Sequence, residues 1–267
     1  MSGAFDTILV SAQQGVMTIT LNRPDALNAY NERMSVELAA ALKSAERDAQ
    51  VRCVTLTGAG RAFCSGQDLR EIRAYYKPDA CTLDFGAHLR QKYNPVVARL
   101  RSLEKPTLAA INGVAAGAGA SFAFACDLRI CASSASFMMA FTHVGLIPDS
   151  AATLTLLQHV GYARAAEMCF LGDRMPAEEA LRRGLVNCVV EDAALADATR
   201  ELAGRLAAAP TRAIGLTKRA LTRAWNATLD EQLEYEAFLQ HTAGQTADHR
   251  EGVLAFLEKR KPAFEGR

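Results

Sequence analysis

Two glycine-rich stretches and one carboxylate stand out in this chain as residue types suited to acyl chemistry. The first stretch is Arg61-Ala62-Phe63-Cys64-Ser65-Gly66-Gln67-Asp68-Leu69, and the second is Asn112-Gly113-Val114-Ala115-Ala116-Gly117-Ala118-Gly119-Ala120. In each, an apolar strand-like run feeds glycines and then a helical start. The first N–H groups of a helix have no internal partner, point outward and carry partial positive charge. Such donors suit an oxygen on which negative charge develops. The carboxylate is Asp149 in Gly145-Leu146-Ile147-Pro148-Asp149-Ser150, just ahead of an apolar helix expected from near Ala151. On that motif alone it reads as a helix-capping aspartate.

Other reactive side chains lack partners at useful spacing. The five histidines (88, 143, 159, 241 and 249) show no metal-binding pattern such as HExxH, and His143 alone is expected to face a pocket. Cys64 lies beside the first turn without a neighbouring base. Tyr75, Tyr76 and Tyr93 flank a variable stretch and read either as pocket walls or as ordinary aromatic packing. The second turn faintly echoes a dinucleotide fingerprint, yet Gly117-Ala118-Gly119-Ala120-Ser121-Phe122 lacks the third glycine.

The elements that must hold these turns are legible from periodicity. Thr7 to Ser11 and Val16 to Leu21 are β-rich runs separated by Gln13-Gln14-Gly15, a hairpin signature. Asn31 reads as the N-cap of a helix in which Met34, Leu38, Ala41, Leu42 and Ala45 recur at helical spacing. Cys53 to Thr57, Thr107 to Ile111 and Leu128 to Cys131 are buried strands; Phe85 to Leu103 and Gly117 to Cys126 are helices. The region from Asp68 to Asp84 has no clear period. Strand, turn and helix thus alternate through the first half, which predicts an α/β core with largely parallel pairing. After Ala151 helices dominate, broken by a strand at Leu185 to Val190. Leu195 to Ala208, Thr211 to Ala224, Leu229 to Thr242 and Thr246 to Arg260 form an appended helical series.

Bulk properties narrow the function classes. The 267 residues allow one substantial core, and 30 basic against 29 acidic side chains give no general attraction to nucleic acid or an anionic membrane. No stretch approaches the roughly 20 apolar residues of a bilayer span, and Met1 to Val10 does not read as a signal peptide. Seven cysteines form no CxxC pair. A reducing, cytoplasmic location is expected.

Taken together, the motifs resemble the crotonase (enoyl-CoA hydratase/isomerase) superfamily. The resemblance runs from Leu21-Asn22-Arg23-Pro24 and Leu27-Asn28 through both glycine-rich turns and Ala125-Cys126-Asp127-Leu128 to Phe256-Leu257-Glu258-Lys259-Arg260-Lys261-Pro262-Ala263-Phe264. It implies an α/β spiral of repeated ββα units over residues 1–195, followed by a C-terminal helical subdomain over 196–267 that serves trimerisation. A homotrimer or dimer of trimers is implied, with an acyl-CoA thioester as substrate and no separate cofactor, since coenzyme A is part of that substrate. By position, the N–H groups that hold the thioester oxyanion fall on Gln67 and Ala118. Residues implied to contact substrate or coenzyme A are Arg23, Ala26, Ser65, Gly66, Asp68, Leu69, Gly117, Phe141, Phe256 and Lys259, the last two across a subunit interface. Asp68 and Asp127 read as structural hydrogen-bonding residues rather than acids.

The acid–base residues separate the reactions. Hydratases of this family carry two glutamates where this chain has Ser121 and Phe141, which argues against simple hydration. Isomerases that resemble this chain carry an aspartate where Asp149 stands, and one carboxylate suffices to move a proton between two carbons. Phe137, Met138, Met139, Phe141 and Leu146 are candidates for an apolar pocket that raises its pKa, or else ordinary core. The expected reaction is isomerisation of a 3-enoyl or a ring-epoxide acyl-CoA. One departure bears on substrate: such isomerases follow the aspartate with Cys/Ser-Gly-Gly-Thr-Trp, whereas this chain reads Ser150-Ala151-Ala152-Thr153-Leu154. Two other readings stand beside it. One is a hydratase-type lyase using Glu71, Asp79 or Asp84; the other is an acyl-CoA binder without catalysis.

Overall fold

A computed structural model describes residues 5–77 and 81–267. Asp79 lies outside the described residues, as do the first four residues of the chain.

Among the described residues, ten strands form two sheets. The larger contains β1 (Ile8–Gln13), β2 (Val16–Leu21), β3 (Cys53–Gly58), β5 (Thr107–Ile111), β7 (Leu128–Ala132) and β10 (Cys188–Val190), in the order β1-β2-β3-β5-β7-β10. Only the β1–β2 hairpin is antiparallel; every other neighbour in this sheet runs parallel. Gln14 and Gly15 both adopt positive φ at the hairpin turn, the twist-matched geometry of a two-residue connection. The smaller sheet has the order β4 (Ala62–Cys64), β6 (Val114–Ala116), β8 (Ser136–Met138) and β9 (Met175–Pro176). None of these four strands exceeds three residues, so no alternation announces them.

Helices fill the connections. Asn31 caps α1 (Glu32–Arg47), accepting from the Met34 N–H at 2.9 Å; its expected apolar stripe is buried. The stretch without period holds the short α2 (Leu69–Ile72) and a 3-10 turn over Arg73–Tyr76. The single helix expected from Phe85 to Leu103 is α3 (Phe85–His88), a π-helical segment over Leu89–Tyr93, and α4 (Asn94–Ser102). Pro95 has no N–H for the carbonyl four residues back, so the ladder loosens ahead of it. Next come α5 (Ala118–Ala125), buried on all sides, then α6 (Ala152–Leu171), broken at Gly161, and α7 (Ala177–Arg182).

The C-terminal series is α8 (Leu195–Ala207), α9 (Thr211–Ala224), α10 (Leu229–Gly244) and α11 (Ala247–Leu257). Helix α8 packs on β2, β3, β5 and β7, so the 195/196 boundary expected from sequence falls where the chain returns to cover the large sheet. Helix α9 is tied down by Lys218, whose ammonium meets the Asp127 carboxylate and the Leu100 carbonyl, both at 2.8 Å. Asp127 also accepts from the N–H and hydroxyl of Thr107, the structural role read for it. Among the described residues no helix is long and apolar enough to cross a membrane.

Candidate active site

The small sheet sets the two glycine-rich turns side by side, because β4 and β6 run parallel with Cys64 opposite Ala115. Close approach explains the glycines. A Cβ on Gly66 (φ +95°) would stand 3.0 Å from the Ala116 oxygen and 3.8 Å from the Ala118 nitrogen. One on Gly119 would stand 2.3 Å from the Cys64 oxygen, closer than real contacts allow.

On each turn the neighbouring hydrogen bonds leave one backbone N–H out. Tyr30 donates to the Gly66 carbonyl at 2.7 Å and accepts from the Asp68 N–H at 2.8 Å. This is a parallel bridge opposite Gln67, in which Gln67's own N–H faces the other way. On the second turn, Gly117 donates to the Met138 carbonyl, and Ala118 opens α5, where an N–H has no acceptor within the helix. Gln67 and Ala118 thus lie on turns that the small sheet sets side by side.

Asp149 is joined to this pair through Ser121. The Ser121 hydroxyl lies 3.1 Å from the Gly117 carbonyl and 3.2 Å from the Asp149 carbonyl, stitching the backbone of Asp149 to the second glycine-rich turn. Nothing in the sequence marked Ser121 beyond its not being a glutamate. The Asp149 side chain does not cap α6: the capping position is Ala151, with no side-chain hydrogen bond. Instead it accepts from the Ser150 hydroxyl at 2.8 Å. Burial raises the Asp149 carboxyl above the ordinary 3.8, and the Ser150 bond opposes that rise.

The apolar surroundings divide between the site and the core. Phe141 lies in the site, its ring 3.9 Å from where a Gly117 Cβ would stand. Phe137 and Met139 are wholly buried in the core, with Phe137 against Phe124 at 5.7 Å between ring centroids. His143 does not face the site. It is exposed and lies by the end of α6, 3.4 Å from the Leu171 carbonyl.

A different histidine does reach the site: His88 Nε2 stands 3.2 Å from Gln67 Nε2. Burial first, then the Lys92 ammonium, lower its pKa against the pull of Glu32 and Glu71. His88 sits between a tract without period and the π-helical segment, where no sequence signal points inward. Beside it, Tyr93 is buried, whereas Tyr75 and Tyr76 are exposed.

Of the residues implied to contact coenzyme A, Ala26, Ser65 and Gly66 cluster at the first turn, where Ser65 donates to the Leu27 carbonyl at 3.0 Å. Arg23 pairs with Asp68 at 2.8 Å, and Asp68 also caps α2 through the Arg70 N–H. Leu69 opens that helix and is exposed. Phe256 and Lys259 are not brought to the turns by their own chain. Phe256 is 82% exposed, at the end of a helix that packs on α10. The alternative carboxylates are already engaged: Glu71 accepts from the Glu32 N–H, and Asp84 caps α3.

Comparison with known proteins shows the family. The family model described as enoyl-CoA hydratase/isomerase matches residues 11–267. The 1,2-epoxyphenylacetyl-CoA isomerase of Escherichia coli K12 is 48% identical over 260 residues, covering 97% of this chain and 98% of that protein. A probable enoyl-CoA hydratase of Rhodobacter capsulatus is 45% identical, covering 99% and 100%. Among solved structures, an enoyl-CoA hydratase from Bacillus anthracis superposes with a TM-score of 0.91 at 33% identity, covering 98% of this chain and all of that one.

Proposed function

Because this chain belongs to the enoyl-CoA hydratase/isomerase family and has the crotonase fold, we propose that it is an acyl-CoA isomerase with Asp149 as its proton shuttle. The observation that carries this reading is the half-buried Asp149 carboxylate, held by the Ser150 hydroxyl, on a backbone that Ser121 ties to the second glycine-rich turn. Phe141 and Ser121 stand where a hydratase would need its glutamates.

The thioester oxygen sits between the N–H groups of Gln67 and Ala118. Ionised Asp149 takes a proton from C2 of a 3-enoyl thioester, and the electron pair moves into the carbonyl oxygen, where the two donors stabilise it. The electrons then return through the conjugated system as Asp149 gives the proton back at C4, leaving the 2-enoyl thioester. Acid and base are one group, and no water is consumed. Removing one oxyanion donor costs about 3–4 kcal/mol of barrier.

The likeness to the E. coli isomerase extends the proposed substrates to the ring 1,2-epoxide of phenylacetyl-CoA. Coenzyme A lies along Arg23, Ala26, Ser65, Gly66, Asp68 and Leu69, with Gly117 and Phe141 against the acyl part. Phe256 and Lys259 reach it from a neighbouring subunit of a homotrimer or dimer of trimers. No cofactor beyond the substrate's own coenzyme A is needed.

The test is a panel of 3-enoyl, ring-epoxide and 2-enoyl thioesters on the wild type and Asp149→Asn. The variant is expected to lose about 10²–10⁴-fold in kcat while binding CoA ligands almost as before. Wild-type turnover by Asp149→Asn would sink the assignment. The name of the Rhodobacter relative favours hydration as the second reading, and steady hydration of crotonyl-CoA would establish it. Binding across the panel without turnover would leave an acyl-CoA binder.

A further inference from the structure

Tyr93 has a hydroxyl that the isomerisation of a plain 3-enoyl chain does not use. The residue is 2% exposed. Its ring is held between Tyr30, at 4.7 Å between centroids, and Phe122, stacked at 6.2 Å. Tyr30 is equally buried, but its hydroxyl donates to the Lys92 carbonyl at 2.8 Å. The Tyr93 hydroxyl has no hydrogen-bond partner among the described residues. Nor is it one of the side-chain oxygens shut off from solvent without a partner, which among the described residues are those of Thr55, Thr199 and Gln232.

Its position borders the site on two sides. His88 lies 5.5 Å away between ring centroids, and His88 in turn touches the side chain of the oxyanion residue Gln67. Burial, then Tyr30, then the charge of Asp149 raise the pKa of Tyr93, so the phenol stays protonated, as a donor. The backbone here is the π-helical segment Leu89–Tyr93, a distortion that recurs at functional sites.

We propose that Tyr93 is a specificity-determining hydrogen-bond donor that reads an oxygen carried on the acyl ring. The favoured substrates are then oxygenated arylacetyl thioesters, such as a ring epoxide, over unsubstituted hydrocarbon acyl groups. A ring oxygen satisfies the phenol, whereas a hydrocarbon acyl group seals it away from water without a partner. His88 closes the wall beside it. The inference rests on the isomerase reading for its choice of substrate class.

Binding tests it without turnover. Isothermal titration of 2-hydroxyphenylacetyl-CoA and phenylacetyl-CoA compares a ring that carries an oxygen with one that does not. The wild type is expected to prefer the hydroxylated thioester by about 10-fold, the value of one well-made hydrogen bond. Tyr93→Phe should bring the ratio close to one, while Tyr30→Phe, which removes a phenol already partnered, should keep the wild-type ratio. Equal affinities in the wild type, or a preference that survives in Tyr93→Phe, would overturn the proposal. The wild-type comparison decides even if Tyr93→Phe folds poorly. A failed isomerase assay would overturn the reaction assignment and leave this binding result to be judged separately.

Discussion

A carboxylate that must take a proton from carbon and hand it back is helped by a pKa above the usual carboxylate range, because the donor and acceptor are then better matched. Burial supplies that rise at Asp149, and the Ser150 hydroxyl restrains it by stabilising the charged form. The proposed reaction requires the ionised base, so kcat/KM should rise with pH along an acid limb that inflects above 3.8. Ser150→Ala removes the restraint and should move that limb to higher pH, as pH–rate profiles of the two proteins would show. The same shift has a stability consequence. Between the unfolded and folded pKa values the native state binds more protons, so stability falls as pH rises through that window and stays lower above it. Asp149→Asn carries no such penalty. Its melting temperature should match or exceed that of the wild type at neutral pH, with any advantage shrinking as the solution is acidified.

The segment that delivers Asp149 is strained. Ser150 and Ala151 adopt φ of +55° and +62°, a left-handed conformation that costs a residue with a Cβ on the order of 1 kcal/mol or more. The isomerases that resemble this chain place glycine at the second of these positions, where the strain vanishes. Ala151→Gly should accordingly raise unfolding stability by about 1 kcal/mol in urea titration, despite the greater freedom of glycine in the unfolded chain. The opposite holds at the oxyanion turn. Gly117 has φ +50° and ψ −127°, a region closed to other residues. Gly117→Ala should displace the Ala118 N–H and lower kcat by about 10²-fold or more, measured on a 3-enoyl thioester.

Across the molecule, apolar side chains remain uncovered on the C-terminal helices. Leu221, Trp225, Leu229, Leu233 and Phe238 are all more than half exposed, and an open apolar groove runs between α9 and α10. Such a surface is large for a solitary chain, in keeping with the proposed trimer. Sedimentation should give a mass that is a three-fold or six-fold multiple of 28.7 kDa. Leu233→Glu, combined with Phe238→Glu, should lower it. A wild-type protein that sediments as a single chain would remove both the trimer and the contribution of Phe256 and Lys259 to a neighbouring site.

Wherever a property repeats along the chain or sits within one turn, the residues announced it. The alternation of β2, the apolar stripe and Asn31 cap of α1 and the span of α9 all arise from interactions a few residues long. The position of Asp149 was equally visible, but its freedom from a capping role was not, since that depends on the strained entry to α6. The short strands of the small sheet carry too few residues to show a period, and they exist because neighbours elsewhere in the chain complete their hydrogen bonds. The meeting of Gln67 with His88 spans 21 residues, and that of Ser121 with Asp149 spans 28. Both required the packed core, which selects partners by shape and burial rather than by distance along the sequence.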